Sequence, residues 1–170
     1  MLLDLIARHE SGGMYNRVYG RGVKTEPLTS MSINNVMSWQ RQYTTIHKSR
    51  SSAAGRYQII RITLIDLTKS MRLSGKELFN EEMQDRMAME LLKRRGYRRF
   101  LLRTKTLKAM VRSLSQEWAS FPKDESGKSY YAGDGLNKAL VSYDEVIKVL
   151  KLERERALTE RLLLWRKENV

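Results

Sequence analysis

Apolar residues recur every three or four positions along much of the chain, and this spacing is typical of α-helices with one buried face. The pattern predicts helices over residues 1–10, 33–40, 57–71, 81–95 and 104–119, and a last helix from residue 143 to about residue 167. Residues 14–30, 44–55 and 121–135 are rich in Gly, Ser, Tyr and charged side chains, which predicts loops or, for 14–30, a small irregular hairpin. The sequence therefore predicts a mainly helical fold with polar loops.

Residues that begin or end helices stand at several of these boundaries. The motif Ser11-Gly12-Gly13 follows the first helix, and Gly reaches the positive φ angles at which helices commonly end. Ser32 and Asn80 are suitable N-caps for the helices that follow them. Ser142 and Glu145 have the spacing of a capping box, which fixes the start of the last helix.

The chain has 170 residues, which is enough for one compact domain with its own core. Since no repeat or linker divides it, we expect a single domain over residues 1–170 with a helical extension from about residue 150. It contains no Cys and only two His, so we expect no disulfide, no metal and no cofactor. No apolar stretch is long enough to span a membrane, and we recognise no signal peptide.

The formal net charge is +13, from 32 Lys and Arg against 19 Asp and Glu. Such an excess favours a polyanionic partner, which can be nucleic acid, an anionic membrane surface or a cell wall with acidic groups. The cationic run over residues 93–99 is the best candidate for an anion-binding patch. The alternative is a solvated helix end whose cations complement the helix dipole.

One acidic residue stands out by its position. Glu10 lies in the last turn of an apolar helix, directly before Ser11-Gly12-Gly13. A carboxyl there is half covered by the core, and partial burial raises a carboxyl pKa, which suits a general acid. The alternative interpretation is an ordinary surface glutamate at a helix end.

Two segments combine small and aromatic residues in a way that suits a sugar ligand. Small residues allow close approach of the backbone, while Tyr offers a stacking face and Gln an amide. The segments are Ser51-Ser52-Ala53-Ala54-Gly55-Arg56-Tyr57-Gln58 and Tyr130-Tyr131-Ala132-Gly133. Each is equally compatible with a tyrosine that only packs in the core.

The motifs occur in an order that resembles the phage lambda endolysin family. The segments that carry the resemblance are Glu10-Ser11-Gly12-Gly13, Ala54-Gly55-Arg56-Tyr57-Gln58, Leu78-Phe79-Asn80, Gln84-Asp85, Leu91-Leu92-Lys93-Arg94-Arg95-Gly96 and Glu117-Trp118-Ala119-Ser120-Phe121-Pro122. The similarity covers roughly residues 3–150, except for a weak match over residues 11–50.

The resemblance implies a lysozyme-like fold, mainly α within the α+β class. A helical lobe and a small irregular or hairpin lobe would flank a glycan-binding cleft. The implied activity is cleavage of the β-1,4 bond between N-acetylmuramic acid (MurNAc) and N-acetylglucosamine (GlcNAc) by a lytic transglycosylase, which leaves 1,6-anhydro-MurNAc. By matching position, Glu10 is the catalytic acid, and Ser11, Tyr57, Gln58 and Tyr131 contact the substrate.

A transglycosylase needs only one carboxyl, because the attacking group is the 6-hydroxyl of the sugar itself. Hydrolytic lysozymes generally use two, about 5 to 9.5 Å apart. Where the other common phage-lysozyme class places an Asp or Cys, this chain has Tyr19. Glu26, in the loop expected to form the smaller lobe, is the candidate second carboxylate. If Glu26 faces Glu10, a hydrolytic muramidase becomes the alternative.

The expected partner is therefore the peptidoglycan glycan strand, together with other anionic wall components, and we expect a monomer. Without a signal peptide, we expect synthesis in the cytoplasm and action on the wall from the periplasm, after release through a holin or delivery by a virion. A nucleic-acid-binding or virion structural protein is the rival class. That class explains the charge but gives no reason for the Glu10 and Tyr57 motifs.

Overall fold

The computed structural model describes residues 1–20, 23–135 and 137–169, with side chains described up to residue 160. The fold is mainly helical, which confirms the predicted class. The α-helices are α1 (Leu2–Ser11), α2 (Ile33–Thr45), α3 (Arg61–Ser70), α4 (Glu81–Arg94), α5 (Tyr97–Leu101), α6 (Leu107–Glu117) and α7 (Tyr143–Asn169). Among the described residues, extended pairing is limited to isolated antiparallel bridges such as Val18 with Ala54 and Ala54 with Ile59.

The chain forms two compact units. The N-terminal unit is Ile6–Glu90, and the C-terminal unit combines Met1–Leu5 with Leu91–Val170. Helix α7 begins at Tyr143 and continues through residue 150 without a break. The single domain expected from the sequence, with an extension beginning at about residue 150, stays a prediction.

The N-terminal unit is built around α2, α3 and the apolar faces of its other helices. Ser32 caps α2 by accepting a hydrogen bond from the Asn35 N–H, and Asn80 caps α4 by accepting one from the Met83 N–H, as predicted. Helices α2 and α3 pack on each other. The side chains that fill this core include Ile6, Leu28, Ile33, Val36, Leu64, Leu67, Phe79 and Met87.

The predicted boundary before α3 is wrong by one turn. The apolar spacing predicts a helix from residue 57, whereas α3 begins at Arg61. Ala54 and Ile59 pair through their backbones, and Gln58 adopts a left-handed φ of 49°, so Tyr57 lies in a tight turn. Tyr57 is nevertheless buried, which explains why it continues the apolar periodicity of the helix.

In the C-terminal unit, α5, α6 and α7 pack against one another. The sequence pattern missed α5, because five residues are too few to show a helical period and Gly96 interrupts the chain with a φ of 80°. Thr106 caps α6, and the Ser142 hydroxyl oxygen accepts a hydrogen bond from the Glu145 N–H at the start of α7. The core side chains of this unit include Leu2, Phe100, Met110, Leu114, Trp118, Phe121, Val146 and Leu150.

Candidate active site

Glu10 is the penultimate residue of α1 and is half-buried. The next residue, Ser11, is buried, and its hydroxyl lies 2.7 Å from the Arg56 carbonyl oxygen and 3.1 Å from that of Ala7. This hydroxyl ties the end of the helix to the turn that contains Tyr57. The residue that follows Glu10 is therefore fixed from both sides.

Gly12 and Gly13 end α1 with φ angles of 69° and 84°, as the motif predicts. Their N–H groups donate to the carbonyl oxygens of Arg8 and Ala7, at 3.2 and 3.0 Å. The Arg56 guanidinium donates to the Gly13 carbonyl oxygen at 3.2 Å. Arg56 thus holds this segment through its backbone, by way of Ser11, and through its side chain.

Gly55 occupies a position that other residues fill only under strain. Its φ is 80°, and its N–H donates to the Arg17 carbonyl oxygen at 2.7 Å. A Cβ atom at this position would stand 3.0 Å from the Phe79 ring and closer still to the Gln84 amide oxygen. The small size of Gly55 therefore allows the turn to pack closely against other groups of the protein.

Gln84 is fully buried and links three parts of the N-terminal unit. Its amide oxygen accepts a hydrogen bond from the Arg56 N–H at 2.8 Å. Its amide nitrogen donates to the carbonyl oxygens of Phe79 and Tyr15, at 2.9 and 3.2 Å. Because its polar atoms are satisfied by backbone groups, Gln84 fixes the Gly55 turn and the loop after α1 together.

Asp85 receives hydrogen bonds from two tyrosines. The Tyr57 hydroxyl donates to one carboxylate oxygen at 2.7 Å, and the Tyr15 hydroxyl lies 3.0 and 3.1 Å from the two oxygens. The Arg56 guanidinium carbon lies over both rings, 4.8 Å from the Tyr15 centroid and 5.8 Å from that of Tyr57. Burial, assisted by the bond to Asp85, raises the pKa of both tyrosines, most strongly that of Tyr57.

Among the residues predicted to contact substrate, Ser11, Tyr57 and Gln58 lie in this one network. Tyr57 is only 1% exposed, and its hydroxyl is engaged by Asp85. Gln58 is half-buried, and its side-chain amide donates to the carbonyl oxygens of Gly55 and Arg17. These contacts define Ser11 and Tyr57 as framework residues, and their contact with substrate stays a prediction.

Glu26 and Tyr131 lie outside this network. Glu26 is exposed on the loop before Pro27, and it forms no hydrogen bond or ion pair with another described residue. Tyr131 belongs to the C-terminal unit, where it is 41% exposed and its hydroxyl donates to the Gln116 carbonyl oxygen at 2.8 Å. The roles that the sequence gives to both residues stay predictions.

A groove of about 600 Å³ opens in the N-terminal unit. It is lined by the loop that follows α1 and by one acidic side chain of α4, namely Gly13, Met14, Tyr15, Asn16, Arg17, Val18, Gly20, Val23 and Glu81. The groove begins three residues after Glu10 in the chain. Such concave, partly polar surfaces are where ligands commonly bind.

Sequence reasoning did not give roles to Gln84, Asp85 or Glu81. All three lie in the first turns of α4, where Gln84 and Asp85 were noted only as part of the resemblance. A polar pair beside the apolar positions of a helix is the signal that could have indicated a buried network. In the part of the chain that the structure describes, no three His, Asp or Glu side chains lie close enough to hold a metal ion.

A family model described as Endolysin matches residues 1–145. The chain belongs to the endolysin family. The match covers the Glu10 helix end, the Tyr57 turn and the whole groove, and it ends just inside α7. Searches among curated proteins and among solved structures gave no significant match.

Membership in the endolysin family makes this chain a peptidoglycan-degrading enzyme that acts on the bacterial cell wall. None of the described helices is both long enough and apolar enough to cross a membrane.

Proposed function

We propose that this endolysin is a lytic transglycosylase that cleaves the β-1,4 bond between MurNAc and GlcNAc, with Glu10 as the only catalytic carboxyl. The Glu10 carboxylic acid donates its proton to the glycosidic oxygen, and the bond from C1 of MurNAc to that oxygen breaks. The 6-hydroxyl oxygen of the same MurNAc bonds to C1, and its proton passes to the Glu10 carboxylate. The products are 1,6-anhydro-MurNAc and a GlcNAc end, no water is consumed, and Glu10 returns to its acid form.

The proposal rests on the position of Glu10 at the end of α1, where hydrogen bonds hold the residues that follow it in place. Glu10 is half-buried and is the penultimate residue of α1. The Ser11 hydroxyl and the Arg56 guanidinium fix the chain directly after Glu10, at 2.7 and 3.2 Å from their carbonyl partners. A general acid that serves twice in one turnover, first as acid and then as base, benefits from such fixed placement.

Two other acids of the N-terminal unit, Asp85 and Glu77, accept hydrogen bonds that support the structure. Asp85 is engaged by Tyr15 and Tyr57. Glu77 accepts hydrogen bonds from the backbone N–H groups of Ser74 and Gly75 and from the Ser74 hydroxyl, and these bonds hold its pKa below the usual range. Neither carboxylate is available as the second group that a hydrolase needs.

A hydrolytic muramidase is the second candidate, and the position of Glu81 favours it. This carboxylate is exposed and lines the groove beside the loop that follows α1. A carboxylate there can activate a water molecule on the face of the sugar opposite an acid. Glu26, on an exposed loop of the same unit, is the other candidate for that role.

Among the residues predicted to contact the glycan, we assign direct contact to Gln58 and Tyr131, which keep part of their surface exposed. Ser11 and Tyr57 act as positioning residues through their bonds to Arg56 and Asp85. A sugar ring stacks on an exposed tyrosine, whereas a buried one supplies only a rigid support.

The test is digestion of purified peptidoglycan by the wild type and by Glu10→Gln, followed by mass analysis of the muropeptides. Glutamine keeps the size of the side chain but cannot donate the proton, so we expect the rate to fall by about 10²–10⁴-fold. Wild-type products should be one water lighter than the reducing-end fragments that a hydrolase releases. Glu26→Gln and Glu81→Gln are the matched controls and should leave the products unchanged.

Two outcomes would contradict the proposal. Full-mass reducing-end products that disappear in Glu26→Gln or Glu81→Gln would identify a hydrolase and its second carboxylate. Equal digestion by the wild type and Glu10→Gln would remove Glu10 from the chemistry.

A further inference from the structure

The C-terminal unit contains a stretch in which every charged side chain is a cation. Between Lys93 and Gln116 the sequence has no Asp or Glu. Ion pairs of this stretch include Arg95 with Glu117 at 2.7 Å and Lys108 with Glu125 at 3.0 Å. Because the stretch itself has no acid, its cations can be balanced only by carboxylates from other segments.

Three exposed arginines in this stretch have no carboxylate partner among the described residues. They are Arg98 and Arg99 on α5 and Arg103 in the connection to α6. Guanidinium groups without a partner bind phosphate well, because their planar donors match two phosphate oxygens at once. We call residues 98–103 the arginine turn.

The backbone of the arginine turn is fixed by hydrogen bonds. The N–H groups of Leu102, Arg103 and Thr104 donate to carbonyl oxygens of α5 at 2.8–3.0 Å. Arg103 has a φ of 62°, a left-handed conformation that residues other than glycine adopt only when their surroundings hold them in it. The turn therefore presents its side chains from a defined scaffold.

Two further cations, Lys105 and Arg154, lie next to the arginine turn, and the Arg154 guanidinium carbon is 4.1 Å from the centroid of the Phe100 ring. The Lys105 ammonium donates to the Arg95 carbonyl oxygen and to the Ser113 hydroxyl, both at 2.6 Å. The Arg154 guanidinium donates to the Lys105 carbonyl oxygen at 3.1 Å. Burial lowers the pKa of both Lys105 and Arg154, and neighbouring arginines, which include Arg99 for Lys105 and Arg103 for Arg154, lower it further.

The exposure of the apolar residues in and beside the arginine turn distinguishes between two possible polyanionic partners, a lipid bilayer and a nucleic acid. Leu102, which lies between the arginines, is 44% exposed, and an exposed apolar side chain suits contact with the interfacial region of a lipid bilayer. Tyr97 and Phe100, the aromatic residues next to the arginines, are buried. The turn thus offers no exposed ring on which a nucleic acid base could stack.

We propose that the arginine turn binds the phosphate groups of an anionic phospholipid bilayer, with Leu102 entering the boundary between headgroups and acyl chains. The arginine turn belongs to the C-terminal unit, whereas Glu10 belongs to the N-terminal unit, and binding through the turn would hold the enzyme at a membrane next to its wall substrate. The inference does not depend on whether Glu10 acts in a transglycosylase or in a hydrolase.

The test uses the full chain with the triple variant Arg98→Gln, Arg99→Gln, Arg103→Gln. Co-sedimentation is measured with vesicles of equal parts phosphatidylglycerol and phosphatidylcholine, and with vesicles of phosphatidylcholine alone. Since each cation near an anionic surface contributes roughly fivefold to partitioning, the triple variant should bind the anionic vesicles on the order of 100-fold more weakly. Circular dichroism checks that the variant keeps its helices.

The matched control removes three exposed cations from the N-terminal unit, with Arg41→Gln, Arg50→Gln and Lys69→Gln. This variant has the same net charge as the triple variant of the turn. It should bind the anionic vesicles within about threefold of the wild type, because screening in salt limits the reach of distant charges. An equal loss in both variants would overturn the proposal, since net charge alone would then explain the binding.

Leu102→Ser tests the apolar contact separately. We expect binding to anionic vesicles to fall by about threefold or more, while Leu140→Ser, at an exposed leucine elsewhere in the unit, leaves it unchanged. Binding to duplex DNA is measured alongside. Wild-type binding to DNA that is as tight as binding to vesicles, with no effect of Leu102→Ser on either, would identify a general nucleic acid surface and overturn the lipid assignment. Equal binding to phosphatidylcholine alone would also overturn it.

Discussion

The turn at Tyr57 and the loop at Tyr131 have the same character in the sequence but different structures. Both place a tyrosine next to small residues, including glycines with positive φ. Tyr57 is 1% exposed and donates to a carboxylate, whereas Tyr131 is 41% exposed and donates to a backbone carbonyl. The difference arises from α4, which supplies the buried Gln84 and the half-buried Asp85 as partners to the first segment. The composition of a segment can indicate an unusual loop. Whether the tyrosine of that loop is buried in the structure or exposed at the surface depends on the residues that the loop contacts.

Alanine substitution of one glycine in each segment should show the difference between the two segments most clearly. Gly55 and Gly133 have φ angles of 80° and 108°, so both substitutions impose backbone strain of about 1–2 kcal/mol. Only the Gly55 methyl group meets other atoms, those of Gln84 and Phe79, whereas nothing lies within 4 Å at Gly133. Gly55→Ala should therefore lower the free energy of unfolding by about 3–5 kcal/mol in total.

Urea denaturation followed by circular dichroism measures both variants. If Gly55→Ala costs no more than Gly133→Ala, the close packing around Gly55 does not contribute to stability.

Removing the hydroxyl group of each tyrosine tests the same difference, with a smaller expected effect on stability. Tyr57→Phe removes a partly buried hydrogen bond to a carboxylate, which should cost about 1.5–3 kcal/mol of stability. Tyr131→Phe removes an exposed hydroxyl whose partner can bond to water, so the cost should stay within about 0.5 kcal/mol. Thermal and urea unfolding of the two variants test this difference. Equal costs would mean that the Asp85 network adds little to the fold.

The smallest expected effect concerns alkaline pH. The pKa of Tyr57 is raised in the folded state, so above the unfolded tyrosine value of about 10 the unfolded chain loses a proton that the folded chain keeps. Stability should therefore fall as pH rises above about 10, by roughly 1.4 kcal/mol per pH unit for this tyrosine. In Tyr57→Phe, stability should therefore fall less steeply above about pH 10, by roughly 1.4 kcal/mol less per pH unit.

Urea midpoints measured between about pH 9 and pH 11 test this expectation, with Tyr131→Phe as the control. An unchanged slope in Tyr57→Phe would show that Tyr57 is not the group responsible.

Features set by neighbouring residues could be predicted from the sequence. The caps at Ser32, Asn80 and Ser142 were predicted because a side chain reaches an N–H three residues away. The glycines after Glu10 were predicted to end α1 for a similarly local reason. Such signals lie within one helical turn of the sequence.

Features set by distant residues were missed. The partners of Asp85 are 28 and 70 residues away in the sequence, so no local pattern shows that both tyrosines meet there. The start of α3 was misplaced because the pairing of Ala54 with Ile59 overrides the apolar spacing. The position of Glu81 in the groove depends likewise on the placement of residues 13–20 and Val23.

The division of the chain into units also bears on how it folds during synthesis. The N-terminal unit is one continuous stretch that is complete once residue 90 has been made. The C-terminal unit needs both ends of the chain, since the Leu2 N–H and the Tyr97 hydroxyl each donate to the Glu153 carboxylate. On the ribosome, residues 6–90 can therefore reach their native contacts while residues 1–5 still lack the partners that α7 supplies.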